Sequence, residues 1–215
     1  MEVRELRTAG AYLFVPRTLH DARGYAASPY REAAFRAATG GPLFPVRQAD
    51  HRRSLRGTVR GVRFTRVPPG AAAYVHCSLG RALYMVVDVR VGSPTFGAWE
   101  SLVLDAAYPS GVYVPAGVGH ACVALEDTVL TSLLSAECAA GDEGTVSVLD
   151  PDLGLPVPEG AGLVVPDRDR GAMTLAEARR RGLLPGYEDA LAVERSLREA
   201  AARAASGPAP DDTRG

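Results

Sequence analysis

The chain contains no lysine: all 24 of its basic residues are arginine. Schiff-base catalysis and an ammonium acting as acid or base are thereby excluded. Arginine stays protonated at any working pH, so it steadies anions and does not accept protons. The many Ala, Gly and Pro residues fit a GC-rich coding bias as the cause. Cysteine is scarce as well, and Cys77, Cys122 and Cys138 lack metal-binding spacing, which argues against a disulfide framework. Cys77 and Cys122 sit in apolar strand patterns and read as small buried hydrophobes. Neither charge is in excess, and a formal net charge of −1 argues against a nucleic-acid partner. No apolar run approaches the roughly 20 residues that cross a bilayer, and Met1 to Gly10 has no apolar signal core. The chain therefore reads as cytoplasmic, with no membrane partner. Histidine is limited to His20, His51, His76 and His120, with no His-x-His pair, so neither a metal nor another cofactor is expected.

The 215 residues, 47% of them hydrophobic and 23% charged, suit one domain with a full core and a helical appendage. From Phe44 onward apolar runs follow one another at short intervals. They are punctuated by Pro68-Pro69-Gly70, Gly92-Ser93-Pro94, Pro109-Ser110-Gly111 and Pro115-Ala116-Gly117. That spacing predicts an all-β sandwich or barrel. Leu13 to Pro16 reads as a short edge strand, where a proline is tolerated. Ala121 to Leu125 and Thr128 to Ser135 flank Glu126-Asp127 and suggest a hairpin. Helical patterns occur over Ser28 to Thr39, which Gly40-Gly41-Pro42 breaks, and again past Pro166. There Thr174-Leu175-Ala176-Glu177 has the form of a capping box, and its helix ends near Gly182. Pro185-Gly186 precedes a second helix over about Tyr187 to Ala204, with Leu191, Val193 and Leu197 as its apolar positions. Residues 206–215 lack a hydrophobic face and are expected to be disordered. The expected division is residues 1–170, then helices over 171–205, then the tail.

The most specific signal runs from Gln48 to Trp99. It comprises Gln48, then Arg60-Gly61-x-x-Phe64, then Val87-Asp88-Val89-Arg90-x-Gly92-Ser93-Pro94-Thr95-Phe96-Gly97-x-Trp99. Pro115-x-Gly117-x-Gly119-His120, Asp150-Pro151 and Arg168-Asp169 follow. Together these motifs resemble the dTDP-4-dehydrorhamnose 3,5-epimerase family over roughly residues 1 to 190. The resemblance implies a cupin-type double-stranded jelly roll with C-terminal α-helices, a dTDP-sugar as small-molecule partner, and a homodimer paired through the N-terminal strand. It also implies that Arg23, in the turn Asp21-Ala22-Arg23-Gly24, meets a nucleotide phosphate. From the sequence alone Arg23 is equally a solvated turn charge.

In that family, as the resemblance implies, a histidine in Arg-Gly-x-His-Phe removes the proton beside the sugar's keto group. A tyrosine returns a proton from the other face, and a lysine with the arginine steadies the enolate. Here the histidine position is Arg63, which is no general base. The tyrosine position falls near Ser132 and the lysine position at Ala73. Asp169 matches the carboxylate that orients the histidine. Arg60, Gln48 and His120 are kept, and Asp50 stands where the family has an asparagine.

Arg60 and Arg63 are three apart, so a regular strand points them to opposite faces. A bulge at Gly61 turns both inward, and Arg63 then pairs with Asp169 as a bidentate ion pair, either as a structural bridge or as an enolate clamp. His120 is the candidate for proton transfer near neutral pH, or else a hydrogen-bonded histidine of the barrel mouth. Tyr84 can project its phenol inward; Tyr113 can stack on a flat ligand or pack in the core. His76, opposite in phase to Ala73 and Val75, is expected on the outer face.

The expected function is a divergent epimerase-like cupin, an isomerase, cyclase or dehydratase acting on a carbonyl compound. Arg63 and Arg60 would stabilise oxyanion charge while His120 or Asp169 moves a proton, and Arg23, Gln48, Asp50, Tyr84, Tyr113 and Ser132 bind substrate. Two alternatives stand beside it: a non-catalytic dimeric homologue that binds a sugar nucleotide or a partner enzyme, and a genuine dTDP-4-keto-6-deoxyhexose 3- or 5-epimerase with substitute catalytic residues.

Overall fold

The computed structural model describes residues 1–158 and 162–205; the expected tail, 206–215, lies outside the described residues. Strands β1 (Glu2–Glu5), β2 (Tyr12–Val15), β3 (Leu19–Asp21) and β4 (Gly24–Ala26) precede helix α1 (Glu32–Thr39). Strands β5 (Gln48–Ser54), β6 (Val59–Thr65), β7 (Ala73–Leu79), β8 (Arg81–Val87) and β9 (Trp99–Asp105) follow. Then come β10 (Gly111–Val114), β11 (Gly119–Ala124), β12 (Thr128–Leu134) and β13 (Glu143–Thr145). Helices α2 (Asp167–Arg170), α3 (Leu175–Arg180) and α4 (Tyr187–Ala205) follow.

The strands form a six-stranded sheet, β1-β2-β10-β7-β12-β5, and a five-stranded sheet, β13-β6-β11-β8-β9, with β3-β4 as a separate hairpin. This is the jelly roll of the cupins. Alternation along the strands builds three apolar layers. Val75, Val112, Val86, Leu104 and Cys122 fill the space between the sheets. Val59, Val62, Met85, Val87 and Val123 form the outer face of the five-stranded sheet, under Val146, Leu153 and α3. Phe14, Tyr74 and Tyr113 form the outer face of the other sheet, packed with Phe35 of α1 and Leu197 of α4. Strand β8 is therefore buried on both faces, which explains its nearly continuous apolar run.

The turn between β8 and β9 is organised by one buried ion pair. Asp88 is 0% exposed and Arg90 1%. The Asp88 carboxylate accepts from Arg90 Nε at 2.9 Å, Arg90 Nη2 at 2.8 Å, and the Ser93 and Thr95 hydroxyls at 2.6 Å each. Burial works against its charge, but Arg90 and the two hydroxyls hold the carboxyl below its usual range. Arg90 also donates to the Ala9 carbonyl at 2.8 Å and lies over the Tyr187 ring at 4.9 Å. The Asp88-to-Thr95 part of the sequence string is thus a structural knot.

Three local expectations are corrected. Strand β2 is not an edge: it pairs with β1 on one side and β10 on the other, and Pro16 lies just past its end. The segments around Glu126-Asp127 are not a hairpin, because β11 joins the five-stranded sheet and β12 the six-stranded one. The turn there carries the chain from one layer to the other, and turn chemistry alone does not distinguish that from a hairpin. The capping box is half formed: Thr174 accepts from the Glu177 amide at 3.2 Å, while the Glu177 side chain pairs with Arg181 at 2.6 Å.

The bend at Gly61 is present and is a bulge. His120 of β11 stands opposite Arg63 and Cys122 opposite Arg60, so Gly61 and Val62 together face Ala121. Gly61 has φ +103°, and a Cβ there would lie 2.5 Å from the His120 carbonyl oxygen and 2.9 Å from Ala121 Cα. The displaced Val62 is caught by Val146, with amide–carbonyl bonds of 3.0 Å in each direction. Gly61→Ala is expected to cost roughly 3 kcal/mol, read as a lowered denaturation midpoint in urea.

Candidate functional site

A cavity opens between the two sheets. Asp50, Arg52 and Ser54 of β5, with Ala73, Leu130, Ser132 and Leu134, line it from the six-stranded side. Arg60, Arg63, Thr65, Tyr84, His120, Cys122 and Glu143 line it from the five-stranded side, and Cys138 lies on the crossing between them. The bulge therefore does what the sequence required: both arginines of the Arg60-Gly61-x-Arg63 motif look inward. Arg63, Ala73 and Ser132, the positions read as substituted, all border this one space.

The charged groups form an alternating chain across the cavity. Gln48 Nε2 donates to Asp50 Oδ1 at 2.7 Å, and Arg52 donates to Asp50 Oδ2 at 3.1 Å. Gln48 and Arg52 both hold the Asp50 carboxyl below its usual range. Arg52 then approaches Glu143 at 3.7 Å, Glu143 approaches Arg63 at 3.7 Å, and Arg63 approaches Asp169 at 3.5 Å. The last three contacts are too long for good hydrogen bonds. The expected bidentate Arg63–Asp169 pair is thus a single loose contact. The reason is local: Asp169, 0% exposed on α2, spends its Oδ2 accepting the Gly61 amide at 3.3 Å, and Glu143 draws the guanidinium the other way. Asp169 does not border the cavity and acts on it through Arg63.

Arg60 donates to the Ser54 hydroxyl at 2.9 Å. Tyr84 and His120 lie ring against ring, centroids 5.8 Å apart and 17° between planes. The ring of His120 is part-buried, and its Nδ1 is enclosed. Burial, then the nearby Arg52 and Arg63 charges, lower its pKa to about 4. It is a neutral imidazole at pH 7. Burial raises the Tyr84 phenol and pushes the Cys122 thiol up to about 11, so both keep their protons. Among the described residues, Arg63 Nε, Tyr84 Oη, His120 Nδ1 and Asp169 Oδ1 are buried polar atoms with no hydrogen-bond partner. Four such atoms in one neighbourhood are unusual in a folded protein.

Other expected site residues lie elsewhere. Arg23 stands on the β3–β4 turn, its side chain 90% exposed, paired with Asp21 at 2.6 Å. Tyr113 is in the outer core and donates to Glu194 Oε2 at 2.5 Å, so its packing role is the one realised. Gln48 stands behind the lining and holds Asp50 and, through Oε1, the Cys138 amide at 3.0 Å. His76 is on the outer face of β7, half-buried. Among the described residues no group of three His, Cys, Asp or Glu side chains is placed to hold a metal, and no helix is long and apolar enough to cross a membrane.

The profile of the dTDP-4-dehydrorhamnose 3,5-epimerase family matches residues 5–177. The chain belongs to this family. It is 45% identical over 199 residues, 92% of this chain and 98% of the other, to a dTDP-4-dehydrorhamnose 3,5-epimerase of Streptomyces griseus. Among solved structures it is similar to the rmlC epimerase of Mycobacterium tuberculosis, with TM-score 0.85, 37% identity, and 92% and 100% of the two chains covered. It is also similar to ChmJ, a 3'-monoepimerase from Streptomyces bikiniensis solved with dTDP-quinovose, with TM-score 0.83, 42% identity, and 90% and 98% covered. These likenesses favour the epimerase alternative over a cyclase or dehydratase.

Sequence reading missed Arg52, Glu143 and Cys138. Arg52 was within reach, since period two from Asp50 along β5 leads to it. Glu143 sits on a three-residue strand after a crossing with no pattern of its own.

Removing the Arg63 side chain leaves the Asp169 carboxylate buried with one long amide contact. Arg63→Ala is expected to destabilise by about 3 kcal/mol, and adding Asp169→Asn to recover much of that loss in a double-mutant cycle. His120 gives a pH signature. Its folded pKa of about 4 lies below the ordinary 6.5. Between those values the unfolded chain takes up a proton that the folded chain refuses, so stability falls as pH drops from 6.5 toward 4. The loss is at most about 3 kcal/mol, less for the exposed part of the ring. Denaturation curves of His120→Gln should lack that part of the slope.

Proposed function

We propose that this epimerase-family protein acts on a dTDP-linked 4-keto-6-deoxyhexose as a 3- or 5-epimerase, with substitute groups in place of the family's acid–base pair. The observation that carries the reading is the set of buried, unpartnered polar atoms at the cavity: Arg63 Nε and Tyr84 Oη as donors, His120 Nδ1 as acceptor or donor. A proton beside a ketone is removed when a base stands near it and fixed donors receive the charge that develops on the oxygen. Arg63 and Tyr84 supply such donors. His120, neutral and bordering the cavity, supplies the base, whereas Asp169 is walled off and serves as a positioning residue for Arg63. Arg60 and Arg52 add positive charge without a proton to exchange.

The nucleotide end of the substrate belongs outside the enclosed part of the cavity. Arg23 would reach it only across a subunit boundary or after release from Asp21. A homodimer fits this reading. The N-terminal edge of the six-stranded sheet is β1 rather than β2, β5 being the other edge, and the β3–β4 hairpin exposes Leu19 and Tyr25.

Incubation with dTDP-4-keto-6-deoxyglucose in D2O, followed by NMR, tests the reading. Deuterium should enter at C3 or C5, and His120→Asn should slow its entry by about a hundredfold or more. The acidic limb of the rate profile should lie near pH 4 and not between 6 and 7, because the imidazole stays neutral down to about that value. Tight binding with no exchange at either carbon would instead identify a non-catalytic homologue.

A further inference from the structure

The cavity has two unlike walls. On the five-stranded side, the stacked Tyr84 and His120 each hold a polar atom without a partner, and Arg63 stands beside His120 across the β6–β11 pair. The facing wall is poorer in groups that exchange protons: Arg52 stays charged, Ser54 is bound by Arg60, and burial keeps the Cys138 thiol at its margin protonated. Ala73, Leu130 and Leu134 carry no labile proton, and Ser132 offers only an alcohol. Asp50 is engaged by Gln48 and Arg52. Acid and base on one wall address one face of a flat enediolate. A proton returned from the side it left regenerates the original configuration at that carbon; inversion takes its proton from the opposite face, through Ser132 or solvent, while the pair on one wall is also placed for transfer to the neighbouring carbon.

We propose that this cavity also migrates the carbonyl of a 4-keto-6-deoxyhexose from C4 to C3, with Tyr84 as a catalytic residue alongside His120. The inference rests on the reading that such a sugar binds here and is enolised. His120 takes the proton from C3; the C–H electron pair becomes the C3–C4 double bond, and the carbonyl pair moves onto O4, which takes the Tyr84 proton. The Tyr84 phenolate, favoured by the Arg52 charge, then takes the proton from the hydroxyl on C3. That O–H pair becomes the new C3 carbonyl, and the C3–C4 pair collects the imidazolium proton at C4. C3 is oxidised as C4 is reduced, and both side chains return to their starting states, so no external oxidant or reductant enters. The arrangement suits adjacent positions on one ring: a single phenol serves O4 and O3 in turn, and a single imidazole serves C3 and C4.

The test uses the full chain with dTDP-4-keto-6-deoxyglucose in D2O. Borodeuteride trapping marks the carbonyl carbon, and NMR reads the label and the exchanged positions. The expected result is a 3-keto isomer carrying deuterium at C4, alongside exchange at C3. Tyr84→Phe should slow exchange by about tenfold and migration by roughly a further hundredfold, whereas a merely structural loss would lower both together. The variant removes a hydroxyl that has no partner, so its thermal midpoint should match the parent's. His120→Asn should abolish both signals. Exchange at C3 in the parent chain with no 3-keto isomer, or equal losses of both signals in Tyr84→Phe, would overturn the migration and leave the enolisation standing. No exchange in the parent chain would overturn both.

Discussion

One extra residue in β6 sets the character of this cavity. Without the bulge at Gly61, strand alternation would send Arg63 to the outer face, among Val59, Met85 and Val123, where an unpaired guanidinium is costly. With it, Arg60 and Arg63 share a wall. The bulge is held from three directions: the His120 carbonyl lies where a side chain at residue 61 would go, Val146 binds the displaced Val62, and Asp169 accepts the Gly61 amide. Asp169 therefore belongs to the backbone bend as much as to the charge it faces.

The loose alternation of Asp50, Arg52, Glu143, Arg63 and Asp169 follows from this. Two of the links approach at 3.7 Å and one at 3.5 Å. The three carboxylates and two guanidiniums, with Arg60 beside them, largely offset one another while leaving donors and acceptors with unfilled capacity. Such a strip discriminates poorly by net charge and strongly by hydrogen-bond geometry, which suits a sugar ring whose hydroxyls both give and receive. Family membership and an arginine at position 63, where the resemblance implies an imidazole, are compatible on these terms. On the proposed reading, the scaffold is kept and the proton-moving task passes to side chains already facing the cavity.

Much of this was legible in the letters. The turn punctuation from Pro68 to Gly117 pointed to an all-β sandwich or barrel, and the Gly92-to-Trp99 string identified its lineage. Glycine between two arginines announced the bulge, because only a change of phase lets residues three apart share a face. The misreadings have physical causes. A turn such as Glu126-Asp127 looks the same whether the chain returns within a sheet or steps to the facing one. Pro16 signals where a strand stops, not which neighbours flank it. Glu143 and Cys138 enter the site through a crossing whose path is dictated by the sheets on either side. Tyr113 was ambiguous because an inward and an outward tyrosine differ only in phase, and the deciding partner, Glu194, lies 81 positions away.

Arg90 has a reach beyond its own turn. Its guanidinium holds the Ala9 carbonyl, closes over Asp88 and lies beneath Tyr187, the first residue of α4. A single side chain thus clasps the turn after β1 and the start of α4 against the same corner. Here the two segments share one latch, so loosening either exposes a buried charge that the other was helping to cover.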